Sequence, residues 1–496
     1  MLENCSVLPH NMYTSKQIQE AENQFVSSGT SSVIDLIESA GAAAFMKVQS
    51  IFPAPCHILV IAGYGNNGAD AFSCARRLLE ASYSVALVAI EPESNLSKTR
   101  PELNEVRQQF IDAGGEVLSF CGALPIDAKV IVDGLLGTGI TRELRDGIKQ
   151  LVQLVNDSPA WVLSLDVPSG LNPDTGSGLT TIKADMTLTF GGLKRGLLTG
   201  HARHCCGELA LAELGLSEFL PKTDFSRVSL SYINDRLAPR DRDTHKGLSG
   251  KVTVIGGDVG MSGAVRLAGE ACLRSGAGLV TVISRPEHQH TVNANRPELM
   301  FWGCELVDME VYLRLGWAHT LVIGPGLGKQ TWGYNLLKAV GLSDKPCVID
   351  ADALNLLSEE HTRCDGRVLT PHSGEAARLL GVSIAEVERD RFAAVRDIQQ
   401  KYGGVVVLKG PGTLIYDGKH YYVAPVGNPG LASGGCGDVL SGIIGALMSQ
   451  GFSILDSAVM GVVVHGEAAD RAAVAGERGM LASDLMPHIR SLVNNL

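Results

Sequence analysis

Short apolar runs that break off at glycine or aspartate recur along all 496 residues, and they constrain the chain more than any other feature. Runs at 57–62, 84–90, 129–133, 161–166 and 185–190 read as buried strands, with helix-period segments at 69–80 and 101–113 between the first of them. The pattern resumes at 251–255, 279–283, 321–323, 347–350 and 405–408, with a helix expected over 263–275. Strands alternating with helices require parallel sheets with crossover connections, so the expected class is α/β. The length exceeds one ordinary core, and the pattern weakens over 217–231. Two tandem domains are therefore expected, 1–225 and 226–496. Runs at 413–415 and 420–423 around Tyr416-Asp417-Gly418-Lys419 read as a hairpin.

Composition narrows the partners. A hydrophobic share of 45% and a charged share of 19% describe a well-buried globular chain. A net charge of −11 argues against a broad nucleic-acid or anionic-membrane surface and favours small-molecule ligands. The eleven cysteines include no C-x-x-C pair, which suggests reduced thiols and a cytoplasmic location. Met1-Leu2-Glu3-Asn4 opens no basic, apolar leader, and neither a signal peptide nor a membrane span is expected.

The densest chemical signal is Gly427-Asn428-Pro429-Gly430-Leu431-Ala432-Ser433-Gly434-Gly435-Cys436-Gly437-Asp438, followed by an apolar helical run over 439–448. A glycine-rich turn feeding a helix N-terminus aims backbone N–H groups and the positive end of the helix dipole at one anion. Asp438 adds a base at that point. The segment resembles the anion hole of the ribokinase-like superfamily, whose Gly-x-Gly-Asp aspartate takes a proton from a substrate hydroxyl. That resemblance makes Asp438 the first catalytic candidate.

Four further motifs end strands of the first half: Gly63-Tyr64-Gly65-Asn66-Asn67-Gly68-Ala69-Asp70, Asp133-Gly134-Leu135-Leu136-Gly137-Thr138-Gly139, Asp166-Val167-Pro168-Ser169-Gly170-Leu171 and Phe190-Gly191-Gly192-Leu193-Lys194-Arg195-Gly196. The first, between strand and helix, suits phosphate binding. Together they resemble the Rossmann-like, three-layer N-terminal domain of the NAD(P)H-hydrate repair enzymes, the NAD(P)HX epimerase. The resemblance implies that Asn66, Asn67, Gly68, Ala69 and Asp70, with Gly137, Thr138, Gly139, Ile140, Thr141, Arg142 and Glu143, hold the dinucleotide. It implies that Asn67, Asp133 and Ser169 bind potassium through oxygen, that Asp166 is the acid/base near the nicotinamide, and that Lys194 is a second catalytic candidate. Ala69 and Ala71 stand where glycine is usual, and their methyls are expected to narrow the loop.

The second half carries Lys246-Gly247-Leu248-Ser249-Gly250, Gly256-Gly257-Asp258, Ser262-Gly263-Ala264, Gly324-Pro325-Gly326-Leu327-Gly328, Asp350-Ala351-Asp352-Ala353-Leu354-Asn355, Thr370-Pro371-His372-Ser373-Gly374-Glu375 and Lys409-Gly410-Pro411-Gly412-Thr413. This series resembles the ribokinase-like C-terminal domain of the same enzymes, the nucleotide-dependent NAD(P)HX dehydratase. It implies that Ala264, Gly326, Leu327, Gly328, His372 and Asp438 contact the hydrated cofactor. Lys409, Gly410, Pro411, Gly412, Thr413 and Gly437 would contact the adenine nucleotide. Cys436 replaces the usual threonine.

The resemblance implies a bifunctional isomerase and lyase that repairs hydrated NADH and NADPH. It brings potassium to the first domain, Mg2+ to the second, and ADP as co-substrate. The expected partners are NADHX or NADPHX and an adenine nucleotide, with no nucleic acid and no membrane, in a homo-oligomer. A small-molecule kinase carrying a non-catalytic N-terminal binding module remains the alternative, because such kinases share the Gly-Asp loop.

Overall fold

The computed structural model describes residues 8–29, 31–90, 100–125, 127–139 and 144–494. Two compact units divide the chain, Met1–Phe225 and Ser226–Leu496.

The first unit is built on β1 (His57–Ala62), β2 (Ser84–Ala89), β3 (Val117–Ser119), β4 (Val130–Gly134), β5 (Trp161–Leu165), β6 (Met186–Phe190) and β7 (Glu208–Ala212). They form one sheet in the order β3-β2-β1-β4-β5-β6-β7, and every pair is parallel. Because side chains alternate across a strand, Ile58, Val60 and Ala62 join one core while Leu59 and Ile61 join another. Helices Val33–Ile51, Asn66–Glu80 and Pro101–Asp112 cover the first face, and Asp146–Asp157 covers the second. The result is a three-layer α/β/α arrangement. Two N-terminal helices, Ser15–Ser27 and Val33–Ile51, precede the strands; Thr14 with Gln17 and Ser32 with Asp35 close a capping box at each.

The second unit's sheet comprises β8 (Phe225–Arg227), β9 (Lys251–Ile255), β10 (Leu279–Ser284), β11 (Leu299–Gly303), β12 (Thr320–Ile323), β13 (Cys347–Ile349), β14 (Arg367–Leu369), β15 (Val405–Leu408), β16 (Thr413–Tyr416) and β17 (Tyr421–Ala424). Their order is β11-β10-β9-β12-β13-β14-β15-β16-β17-β8. Strands β9 to β15 pair in parallel, and β15, β16 and β17 pair antiparallel through the expected hairpin. Helices Ser262–Arg274, Cys436–Ser449, Ile454–Ala472 and Leu485–Leu492 pack on one face over Val252, Val254, Val322 and Val348. Gly442 lets the first two approach closely, since a Cβ there would lie 2.2 Å from the carbonyl oxygen of Ala268. In parallel sheets the carboxyl ends of strands collect loops and helix N-termini, and both candidate sites sit there.

Among the described residues no helix is long and apolar enough to cross a membrane. The ten described cysteines are free thiols.

Candidate functional sites

In the second unit, the turn before Cys436–Ser449 is held from below. Asn428 caps Pro429–Leu431 and donates from Nδ2 to Asp470 at 2.9 Å, and Ser433 Oγ donates to the carbonyls of Gly430 and Met480 at 2.9 Å each. Gly435 takes a left-handed φ of 92°, which suits glycine, and starts the helix. Among the described residues no carbonyl accepts from the N–H groups of Gly437 or Asp438, so these orphan donors face outward with the helix dipole. Cys436 is buried, and its carbonyl meets Nε2 of buried His465 at 2.9 Å. Burial holds that imidazole down at about 4, so it is neutral near pH 7.

Three strand ends converge on this helix mouth. Asp350 follows β13 and is 1% exposed; it accepts from Lys409 Nζ at 2.8 Å and from Ser441 Oγ at 2.6 Å. Lys409 follows β15 and lies 3.9 Å from Glu375. Gly437 faces this ion pair: a Cβ there would sit 3.4 Å from Lys409 Nζ and 3.7 Å from Asp350 Oδ2, ordinary contact distances. Burial pushes the Asp438 carboxyl up to about 7; the Asp350 charge adds to the rise, Lys409 opposes it, and Asp352 and Glu375 raise it further. A carboxylate poised there is an effective base at neutral pH.

Ala264 and Gly326 lie against each other: a Cβ added to Gly326 would sit 3.2 Å from Ala264 Cβ. Gly328 donates to Asp352 at 3.0 Å. Leu327 of that motif is fully buried, and the flanking Gly326 and Gly328 are partly exposed. His372 caps Ser373–Leu380 with Nδ1 accepting from Gly374 N at 2.9 Å, and its exposed tip lies 3.5 Å from Glu375. Burial and then the Lys409 and Arg378 charges hold it below the usual imidazole range, so it is neutral near pH 7. Gly410 runs against Arg391, which is fully buried and donates to the carbonyls of Leu408 and Lys409 at 3.2 and 3.3 Å. Thr413 Oγ1 donates to Gly410 O at 3.1 Å, closing the turn that includes Pro411 and Gly412.

In the first unit, Asn66–Glu80 begins at Asn66, three residues before the expected start at Ala69. Its first turn is wedged on the end of β1: a Cβ on Gly68 would lie 2.0 Å from Gly63 O. Ala69 and Ala71 therefore point into the core at 1% and 0% exposure, and the expected narrowing of the loop by their methyls does not occur. Asn66 Oδ1 accepts from Arg100 at 2.6 Å. Asp133 is fully buried and accepts from Ser164 Oγ, Ser169 Oγ, Ser169 N and Leu135 N at 2.8, 2.6, 2.9 and 3.2 Å. Asn67 Nδ2 donates to Leu136 O at 2.9 Å, while its buried Oδ1 has no hydrogen-bond partner among the described residues. Gly137 lies against Asn67, with Thr138 and Gly139 exposed beyond it. Ile140, Thr141, Arg142 and Glu143 lie outside the described residues.

Asp166 follows β5 with a left-handed φ of 62°, a conformation that Asp adopts more readily than most non-glycine residues. Its Oδ1 accepts from Phe190 N at 3.1 Å and is in direct contact with Lys194 Nζ. Lys194 is 1% exposed and also donates to Thr189 Oγ1 at 3.1 Å and Phe190 O at 2.7 Å. Asp70, 8% exposed, is pushed well above the carboxylate range by burial and then by the Asp166 and Glu22 charges.

Comparison with known proteins covers both halves. Residues 33–196 match the family model for the YjeF-related protein N-terminus, and residues 252–491 match that for NAD(P)H-hydrate dehydratase. The bifunctional NAD(P)H-hydrate repair enzyme of Coxiella burnetii is 46% identical, covering 97% of this chain and 99% of that protein. That of Escherichia coli is 43% identical, covering 100% and 96%. The chain belongs to the bifunctional NAD(P)H-hydrate repair enzyme family. A ribokinase-like superfamily protein from Enterococcus faecalis V583 matches with a TM-score of 0.52 at 29% identity, covering 56% of this chain and 98% of that one.

For this repair-enzyme family member, the structure brings Asp438, Lys409 and Gly437 together in one place, and Asp166 with Lys194 in another. It also adds residues to which the motif reading gave no role. Asp350 and Glu375 stood inside quoted motifs, and the signal that marks them is a carboxylate just past an apolar run or at a helix start. Arg391 and Glu22 lie within helices, and only packing reveals them.

Proposed function

We propose that the first unit interconverts the R and S epimers of NADHX and NADPHX at C6, and that the second dehydrates the S epimer at the expense of ADP, giving AMP and phosphate. The observation that carries the second assignment is the half-buried Asp438 carboxyl in the first turn of the helix Cys436–Ser449, pushed up to about 7 close to the Lys409–Asp350 pair. Hydroxide is a poor leaving group. Asp438 removes the C6 hydroxyl proton, that oxygen attacks the β-phosphorus of ADP, and the bond to AMP breaks. Loss of phosphate from C6 and of a proton from C5 restores the dihydronicotinamide. The N–H groups of Gly437 and Asp438 meet charge on the transferring phosphoryl group, and Lys409 stands beside it. Among the described residues no three His, Cys, Asp or Glu side chains form a ready metal cage, so Mg2+ would be held chiefly by nucleotide phosphates.

In the first unit the reading rests on Asp166, whose second oxygen is left by Lys194 and Phe190 for the substrate. Potassium fits beside it. The unpartnered Asn67 Oδ1, the Asp133 carboxylate, Ser169 Oγ and Leu136 O are hard oxygen donors gathered in one buried place. When bound, the ion would fix the loop that receives the dinucleotide.

The test is a single incubation of the full chain with mixed NADHX epimers and ADP. Both epimers should return as NADH, with one phosphate and one AMP released per turnover. Recovery that stops at the S fraction refutes the epimerase assignment, and a stable phosphorylated product would favour the kinase alternative.

A further inference from the structure

The glycine turn at 324–328 is held from two sides. On one side it runs against the segment that leaves β9: Gly257 N donates to Pro325 O at 2.9 Å, and Asp258 N donates to Gly326 O at 2.6 Å. A Cβ on Gly256 would lie 2.1 Å from Pro325 O, and one on Gly328 would lie 2.6 Å from Asp258 Oδ2, so bare backbone lets the two segments close up. On the other side the turn leads into the helix Thr331–Gly341, where a Cβ on Gly333 would lie 2.5 Å from Gly328 O. Trp332, in the first turn of that helix, is buried and donates from Nε1 to Cys304 O at 2.9 Å.

Arg285 reaches both sides. Ile283 of β10 pairs in register with Ile255 of β9, so the two strands deliver Arg285 and the segment 256–258 side by side. Arg285 Nε donates to Asp258 Oδ1 at 2.8 Å, a terminal guanidinium nitrogen donates to Glu305 at 3.3 Å, and the guanidinium carbon lies 4.4 Å from the centroid of the Trp332 ring. The Arg285 and Asp258 side chains are 19% and 18% exposed, which keeps their pairing largely out of water, whereas Glu305 is well exposed and adds little. A planar guanidinium can stack on an indole and donate in its own plane at once, which an ammonium cannot do. One side chain thus ties the segment lying on Gly326 and Gly328 to the helix that follows them.

We infer that Arg285 is a positioning residue of the second site, fixing the backbone of Gly326 and Gly328 where the hydrated cofactor is received. Lys409 and Asp438 stand on other elements, the end of β15 and the helix Cys436–Ser449, so the effect of Arg285 falls on cofactor binding rather than on the base or the nucleotide. The inference rests on the reading that NADHX or NADPHX, and not ADP, lies on Gly326 and Gly328.

The test uses the full chain with Arg285→Met and Arg285→Lys, following dehydration of purified S-NADHX with each substrate varied in turn. Arg285→Met keeps an apolar stem beside Trp332 and removes the donors, so the KM for S-NADHX should rise about 5- to 20-fold while kcat and the KM for ADP stay within about 2-fold. Arg285→Lys keeps a charge beside Asp258 but loses the fork and the stack, and should recover part of that rise. An unmoved KM for S-NADHX in Arg285→Met, or losses spread evenly over kcat and both KM values as a merely structural residue would give, overturns the inference. A rise confined to the KM for ADP would put the nucleotide on the turn and overturn the reading beneath it. Should Arg285→Met fail to fold, Arg285→Lys must still raise the KM for S-NADHX by at least about 2-fold, and an unmoved value there is equally fatal.

Discussion

Lys409 reaches Asp350 across 2.8 Å at the floor of the second site, and Gly437 of the anion-binding helix rests against both. The pair sets the electrostatics of Asp438 from two directions. Asp350 raises its proton affinity, Lys409 lowers it, and burial outweighs both.

Asp438→Asn keeps the shape of the side chain and removes the base. Dehydration should fall by about 10²- to 10⁴-fold while ADP still binds to the backbone donors. Epimer exchange on the same protein should be unchanged. Dehydration within a few-fold of the parent would assign Asp438 a structural role.

Because the Asp438 carboxyl titrates at about 7 and must be ionised to act, the dehydration rate should rise with pH through neutrality. Asp350→Asn removes the nearest like charge and frees Lys409 toward Asp438. Both effects lower its proton affinity, so the acidic limb should move to lower pH while kcat drops. A limb that stays in place would detach Asp438 from this network.

If Asn67 Oδ1 is a potassium ligand, potassium should raise the melting temperature of the first unit's transition relative to choline at equal ionic strength. Asn67→Ala should remove most of that difference. Calorimetry checks it without substrate, and an equal potassium response in the variant rejects the ligand set.

Arg391→Met leaves Glu388 and the carbonyls of Leu408 and Lys409 without their buried donor. Urea unfolding of the second unit should show a loss of about 3 kcal/mol, and the KM for ADP should rise as the loop at 409–413 loosens. Unchanged stability and KM would leave Arg391 a mere space-filler.

The strands and glycine-rich ends were legible because parallel strands buried on both faces must be apolar, and loops that approach phosphates need glycine. β3, β8 and β14 were not legible, since three residues carry too little pattern, and Arg367 opens β14 with a charge; the edge strands β7 and β11 were missed as well. The start of Asn66–Glu80 was misplaced because Asn66, Asn67 and Gly68 look like loop residues. Contact with the end of β1, rather than helix propensity, fixes that turn. Asp438 and Asp166 stand out at strand or helix ends. Arg391 does not, because its carbonyl acceptors on Leu408 and Lys409 are 17 and 18 residues further on and nothing local records the meeting.

Gly442 has a mechanical consequence. With no room for even a methyl group between Cys436–Ser449 and Ser262–Arg274, the helix that bears Asp438 and the helix that bears Ala264 are clamped back to back. Asp438 and Ala264 therefore ride on two helices that move as one body, and any adjustment between them falls to the loops that precede those helices.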